Sequence, residues 1–275
     1  MKNNQKLIII PIIIIVLCSS LLLYQSRQGL KLDIDLKGGT QIIFDSSQPV
    51  NEHELEDTLN QYDVNVRMAH GVTGYSIILE FSSDIDSNDV IDAMEEGGYD
   101  FQNYSVQTIS PVLGKSFFKQ AQIALVLAFG FMAIVILLIF KSPILSLYTS
   151  MCPAFDIIET LAVTQLLGID LSLASFAALL MIVGYSVDDD VMIASRALKR
   201  GDVNMAQRFE AGFKTSVTTH GATLVALFAL FMLSLSPVIT QIATVLLIGL
   251  IFDFMNTWLL NVNLLKWHLK KKGIV

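Results

Sequence analysis

The sequence predicts a polytopic α-helical membrane protein: six transmembrane helices, with an α+β ferredoxin-like domain outside the membrane between the first and the second. Three observations predict it. The 275 residues are 53% hydrophobic and only 16% charged, against about 25% charged in a soluble globular chain. The apolar residues fall into long runs at 7–24, 121–140, 144–167, 171–194, 217–235 and 238–265, and roughly 20 mostly apolar residues cross a bilayer. A long polar stretch of mixed strand and helix character separates the first run from the others.

The elements follow in order. Residues 1–24 form a cytoplasmic N-terminus and the first span. Lys2 and Lys6 make a positive start, as in a signal peptide, but the apolar run is too long and no small-residue cleavage site follows. The residues before Cys18 also lack the small residue that precedes a lipidated cysteine. The run is therefore expected to be an uncleaved anchor. Residues 120–265 hold the other five spans, the last interrupted by Asp253, Asn256, Asn261 and Asn263. Residues 266–275 are a basic tail. Lys141, the cluster Arg196, Lys199, Arg200, Arg208 and Lys214, and the tail lysines Lys266, Lys270, Lys271 and Lys272 all fall on one side if the spans alternate. Lysine and arginine mark the cytoplasmic side, so both termini are expected there and residues 25–119 outside.

Residues 25–119 carry 16 Asp+Glu and 6 Lys+Arg, which argues against nucleic acid or anionic lipid as a ligand. Alternation and turn residues predict strands over 40–45, 64–69, 75–81 and 101–109 and helices over 51–62 and 87–96. Glu52, Glu54 and Glu56 suit the first helix N-terminus, and Gly97 and Gly98 close the second. Strand, helix, strand, strand, helix, strand is the ferredoxin-like order. No nucleophile–base pair or phosphate loop stands in it, and His53 and His70 read as surface residues. Cys18 and Cys152 offer neither a disulfide framework nor a zinc spacing. Lys37-Gly38-Gly39-Thr40 is the sharpest local feature. Two glycines before a strand mean a tight turn or a close backbone approach.

Charge inside an apolar run is costly and normally faces a bundle interior. The third run holds Asp156 and Glu159, the fourth Asp188, Asp189 and Asp190, the sixth Asp253. Thr215, Thr219 and Thr223 share a helix face beside His220, a face suited to bonding a neighbouring helix or holding a water chain. Successive helical residues lie about 100° apart, so the three aspartates cannot all point inward. In one reading the fourth helix ends at Val187 and the acids sit at the interface near Arg196. In the other the helix continues through the apolar residues 191–194 and buries some of them. Buried carboxyls of this kind suit a proton relay, with Lys214, His220 and the Asp253/Asn256 pair as neighbours. Lys214 also reads as a residue reaching out to the interface.

At these residues the sequence resembles the SecD/SecF family of protein-export membrane proteins. The motifs are Asp35-Leu36-Lys37-Gly38-Gly39-Thr40, Ser110-Pro111-Val112-Leu113-Gly114, Gly184-Tyr185-Ser186-Val187-Asp188-Asp189-Asp190-Val191 and Thr215-Ser216-Val217-Thr218-Thr219. The short length and the Gly-Tyr-Ser motif favour the SecF side. Residues 196–200 and Phe252-Asp253-Phe254-Met255-Asn256-Thr257-Trp258-Leu259 look like the archaeal branch. The resemblance implies one six-helix half of a resistance-nodulation-division transporter. It also implies a fourth-span aspartate in proton-coupled work, with Asp188 ranked ahead of Asp189 and Asp190. Where the bacterial pattern has an arginine, this chain has Ala211, with Lys214 three residues on.

The resemblance further implies a SecD-like subunit, the Sec translocon and a translocating polypeptide as partners, besides membrane lipids. No nucleic acid, cofactor, metal or enzymatic step is expected. The rival expectations are a non-conducting scaffold of the translocase and a small-molecule or lipid exporter half of the same superfamily.

Overall fold

The structure, a computed structural model, describes residues 7–46, 50–71, 74–99, 104–198, 204–234 and 236–271. Lys2 and Lys6 of the positive start, and Lys199, Arg200 and Lys272 of the orientation argument, lie outside these, as do the side chains of His53 and His70.

The chain opens with α1 (Ile9–Gln28) and a single helical turn, α2 (Ile34–Lys37). It then builds β1 (Gly39–Ser46), α3 (Glu52–Thr58), β2 (Asn65–Gly71), β3 (Gly74–Phe81), α4 (Ser87–Glu96) and β4 (Tyr104–Ile109). The element order is the expected one. The first helix is shorter than 51–62, because its last turn tightens to a 3-10 helix at Asn60–Tyr62. The sheet order is β2-β3-β1-β4 and every pair is antiparallel. Alternation sends Ile42, Phe44, Ile77 and Leu79 to one face, where they pack with Leu55 and Leu59, Val90 and Met94. Asp86 caps α4 by accepting the Asn88 N–H at 3.0 Å.

The helical half follows: α5 (Pro111–Phe140), α6 (Pro143–Leu166), α7 (Leu173–Leu198), α8 (Met205–Leu233), α9 (Pro237–Asn256), a π-helical turn at Thr257–Asn261 and α10 (Val262–Lys271). The N-cap Ser110 and N1 Pro111 start α5 well before Lys119. Among the described residues, α1, α5, α8 and the run Pro237–Lys271 are long and apolar enough to cross a membrane. Between them α6 and α7 are packed inward and carry Asp156, Glu159 and the three successive aspartates, while Asp253 stands on α9. Leu179, Ile182, Ile157, Ile136 and Leu246 form the centre of the apolar core. The outward faces of α1 and α5 stay apolar and exposed, the pattern of helices long and apolar enough to span a bilayer.

The two halves meet at the glycine motif. Gly38 has φ +84°, and a Cβ there would lie 2.5 Å from the Pro111 Cα. A Cβ on Gly114 would lie 2.6 Å from the Gly38 nitrogen. The Gly38-Gly39 and Ser110-to-Gly114 motifs thus mesh backbone against backbone, which is more than an ordinary turn. Leu32 also pairs with Leu171 of the α6–α7 turn, through Asp33 N–H to Leu171 O and Leu171 N–H to Lys31 O, each 2.9 Å.

Candidate functional site

The helix α7 does not stop at Val187. It runs on to Leu198 because Ile193, Ala194 and Ala197 pack against Leu145, Phe209 and Leu265. The 100° step then sorts the three aspartates. Asp189 and Asp190 are buried, and Asp188 is exposed. Asp188, ranked first from the resemblance, is the one the fold leaves outside the bundle. It shares a groove of about 150 Å³ with Tyr185, Asp189, Thr215, Thr219 and His220.

The buried acids meet polar groups from neighbouring helices. Ser216 of α8 donates to Asp189 Oδ2 at 2.6 Å, and the Trp258 indole donates to the Ser216 hydroxyl at 2.9 Å. Thr257 donates to Asp190 Oδ1 at 2.9 Å. Ser186, the last residue of the Gly-Tyr-Ser motif, donates to Asp156 Oδ2 at 2.7 Å. The Asn256 amide donates to Asp156 Oδ1 at 2.7 Å and to Glu159 Oε2 at 2.6 Å. His220 Nδ1 lies 3.1 Å from the Ser216 carbonyl and Nε2 lies 2.9 Å from Asp253 Oδ2. A carbonyl only accepts, so Nδ1 carries a hydrogen. Nε2 then either donates as imidazolium or accepts from a protonated Asp253. In both cases one proton sits between the pair.

The remaining expected residues fall elsewhere. Lys214 is exposed and pairs with Glu210 at 2.9 Å, one turn back on α8, so it does not reach the acids. Thr215, Thr219 and Thr223 bond carbonyls of their own helix. Ser216 and His220 make the interhelical bonds instead. Gly184 faces open space and Tyr185 is exposed. The π-turn directly after Asn256 brings in Thr257 and Trp258, and single π-turns recur at functional positions in helices.

Sequence reasoning marked Asp156, Glu159 and Asn256 but did not join them. It passed over Ser216 and Trp258, although both stand inside quoted motifs. It also passed over Arg67. From β2 this residue bonds Glu80 and approaches Asp170 at 3.3 Å and Asp33 at 3.7 Å, while Lys37 pairs with Glu80 at 2.9 Å. The signal for Arg67 was its scarcity, since it is the one lysine or arginine between Lys37 and Lys115. Burial raises the Asp33 carboxyl above its ordinary value, Arg67 opposes that, and Asp35 and Asp170 add to it. Burial raises Asp35 too, against hydrogen bonds from the Leu173 backbone N–H and Gln107. Asp35 thereby caps the start of α7 from outside the helix. Thr40 bonds Thr108 across the sheet at 3.0 Å.

Against known proteins, residues 89–271 match the family model described as protein export membrane protein SecD/SecF, C-terminal. The chain is 34% identical to the protein-export membrane protein SecF of Methanothermobacter thermautotrophicus, over 99% of this chain and 95% of that one. It is likewise 34% identical to SecF of Methanocaldococcus jannaschii, over 98% and 96%. Among solved structures it superposes on SecDF, a translocon-associated membrane protein from Thermus thermophilus, with TM-score 0.80 at 17% identity, over 96% of this chain and 38% of that one. A super-membrane-facing form of SecDF gives TM-score 0.63 at 16% identity, over 99% of this chain and 39% of that one. At those identities the likeness is one of fold. The full-length matches to SecF, together with a family model that spans every helix of the acid cluster from α6 onward, establish that this chain belongs to the SecD/SecF family of protein-export membrane proteins.

Proposed function

We propose that this chain is a SecF-type subunit that assists movement of secreted polypeptides through the Sec translocon, powered by the proton gradient and without covalent chemistry on the substrate. In this reading all six helical runs span the cell membrane, both termini are cytoplasmic, and the ferredoxin-like domain meets the emerging chain outside. A SecD-like subunit completes the transporter by packing on the face that carries Tyr185 and Asp188. The observation that carries the reading is the His220–Asp253 bond inside a cluster of buried carboxyls. A shared proton between two helices is a group whose gain or loss changes how those helices attract each other, which is the requirement for coupling a gradient to motion.

The test is export into vesicles holding this chain and its SecD-like partner, with and without an imposed proton gradient. Wild type is compared with Asp188→Asn, Asp189→Asn and Asp190→Asn. A gradient-dependent gain in wild type that one substitution abolishes supports the reading. Equal behaviour of all four in both conditions, with the complex intact, overturns it in favour of a scaffold.

A further inference from the structure

We propose that Glu159, held with Asp156 by Asn256, is a second proton-binding site of the bundle, distinct from the His220–Asp253 pair. The proposal rests on the coupling reading above for its purpose, though not for its existence.

Two carboxylate oxygens of the bundle are buried without a hydrogen-bond partner, Glu159 Oε1 and Asp190 Oδ2, and of the two acids only Glu159 shares an amide donor with a second carboxyl. Asp156 and Glu159 are fully buried on one face of α6, a turn apart. Both carboxyls lean on the same amide, Asn256 Nδ2. Asp156 is then complete, with Ser186 on its second oxygen. Glu159 is not: Oε1 is buried with no hydrogen-bond partner, and so is Asn256 Oδ1 beside it. Among the described residues no lysine or arginine forms an ion pair with either carboxyl. A carboxylate so placed carries a bare anionic oxygen in a low-dielectric interior, at a cost of several kcal/mol. A proton on Oε1 removes that charge while keeping the bond from Asn256.

The surroundings place other titratable groups around the pair. The titratable groups facing the pair are Asp190 from α7, Asp253 from α9, Cys152 on α6 itself and Cys18 from α1. Of these elements α1 is held most lightly, since only Pro11 and Cys18 of the whole helix are buried. Cys18 is the buried titratable group of that helix within electrostatic reach of Glu159. Asn256 then links this site to Asp253, one turn earlier on α9, and through it to His220.

The experiment uses membranes containing this chain and its SecD-like partner, treated with dicyclohexylcarbodiimide, which modifies protonated carboxyls in apolar surroundings. Sites are mapped by mass spectrometry. The expected result is modification at Glu159 that falls at least about tenfold between about pH 5 and about pH 9, a tenfold change being one pH unit of proton affinity. In the same preparation Glu159→Gln loses the gradient-dependent gain in export. Glu159→Asp restores part of it, and both variants co-purify with the partner in wild-type amount. No modification of Glu159 at any pH overturns the proposal. So does a Glu159→Gln variant that is folded, complexed and fully responsive to the gradient. If wild type gains nothing from a gradient, the coupling reading falls, and the modification pattern alone still decides whether Glu159 binds the proton.

Discussion

His220 Nε2 and Asp253 Oδ2 lie 2.9 Å apart, joining α8 to α9 in the middle of the bundle. The Ser216 carbonyl holds the other ring nitrogen, so the imidazole cannot turn away without losing a bond. His220→Asn and Asp253→Asn each remove the shared proton while keeping a polar group. Each is expected to reduce gradient-dependent export by about a hundredfold, the lower end of the range for positioned proton-transfer groups. Vesicle export with an imposed gradient is the measurement, and a double variant no worse than either single one is the signature of a pair acting as a unit.

Gly38 is predicted to be irreplaceable for steric reasons. Alanine there places a Cβ 2.5 Å from the Pro111 Cα at a φ of +84°. Backbone cannot give way as a side chain can, so the cost is expected at about 3 kcal/mol, the upper end for overpacking. Gly29→Ala is the control: φ is +98° but nothing lies within 4 Å, so only the conformational cost of about 1 kcal/mol applies. Thermal unfolding in detergent, together with proteolysis at the junction of the outer domain, distinguishes the two.

Arg67→Ala leaves Glu80, Asp33 and Asp170 facing one another with no guanidinium between them. The side chain is 27% exposed, so the loss is smaller than for a fully buried pair, at about 2 kcal/mol. Adding Glu80→Gln to Arg67→Ala is expected to recover part of it. The same thermal unfolding experiment gives both values.

The outer junction should weaken as pH rises. The folded protein holds the Asp33 and Asp35 protons more tightly than the unfolded chain does, because both carboxyls are raised by burial. Between the unfolded value near 3.8 and the higher folded value, the folded state carries more protons. Raising the pH through that window therefore lowers stability, and the loss is complete above the folded value. Melting temperature is expected to decline over that range in wild type. Asp35→Asn, whose amide oxygen still accepts from Leu173 and Gln107, should flatten the decline.

Lys214→Ala is expected to change neither export nor melting temperature. Among the described residues its ammonium pairs with the exposed Glu210 on the same helix face, and such pairs contribute little in water. A loss of gradient response in this variant, measured in the vesicle assay, contradicts the placement of Lys214 outside the cluster.

The sequence by itself determined the apolar runs, the order of elements in the outer domain and the importance of Gly38 and Gly39. These are local properties. Transfer of apolar residues is nearly additive along a helix, alternation is read over a few residues, and a pair of glycines announces its backbone freedom wherever it stands. The sequence also marked acids at Asp156, Glu159, Asp188, Asp189, Asp190 and Asp253, because charge inside an apolar run is legible without a fold. Only the tertiary structure decided which of them face one another. A slip of one residue turns a helical side chain by about 100°, which is why Asp188 faces out while Asp189 and Asp190 face in. Contacts between Asn256 and the α6 acids span 100 and 97 residues of chain, and no periodicity within one helix encodes the neighbour that packs against it. That choice comes from how the apolar faces of α6, α7 and α9 fit together, and it joins six separate acids into a cluster, a shared-proton pair and one acid left on the groove.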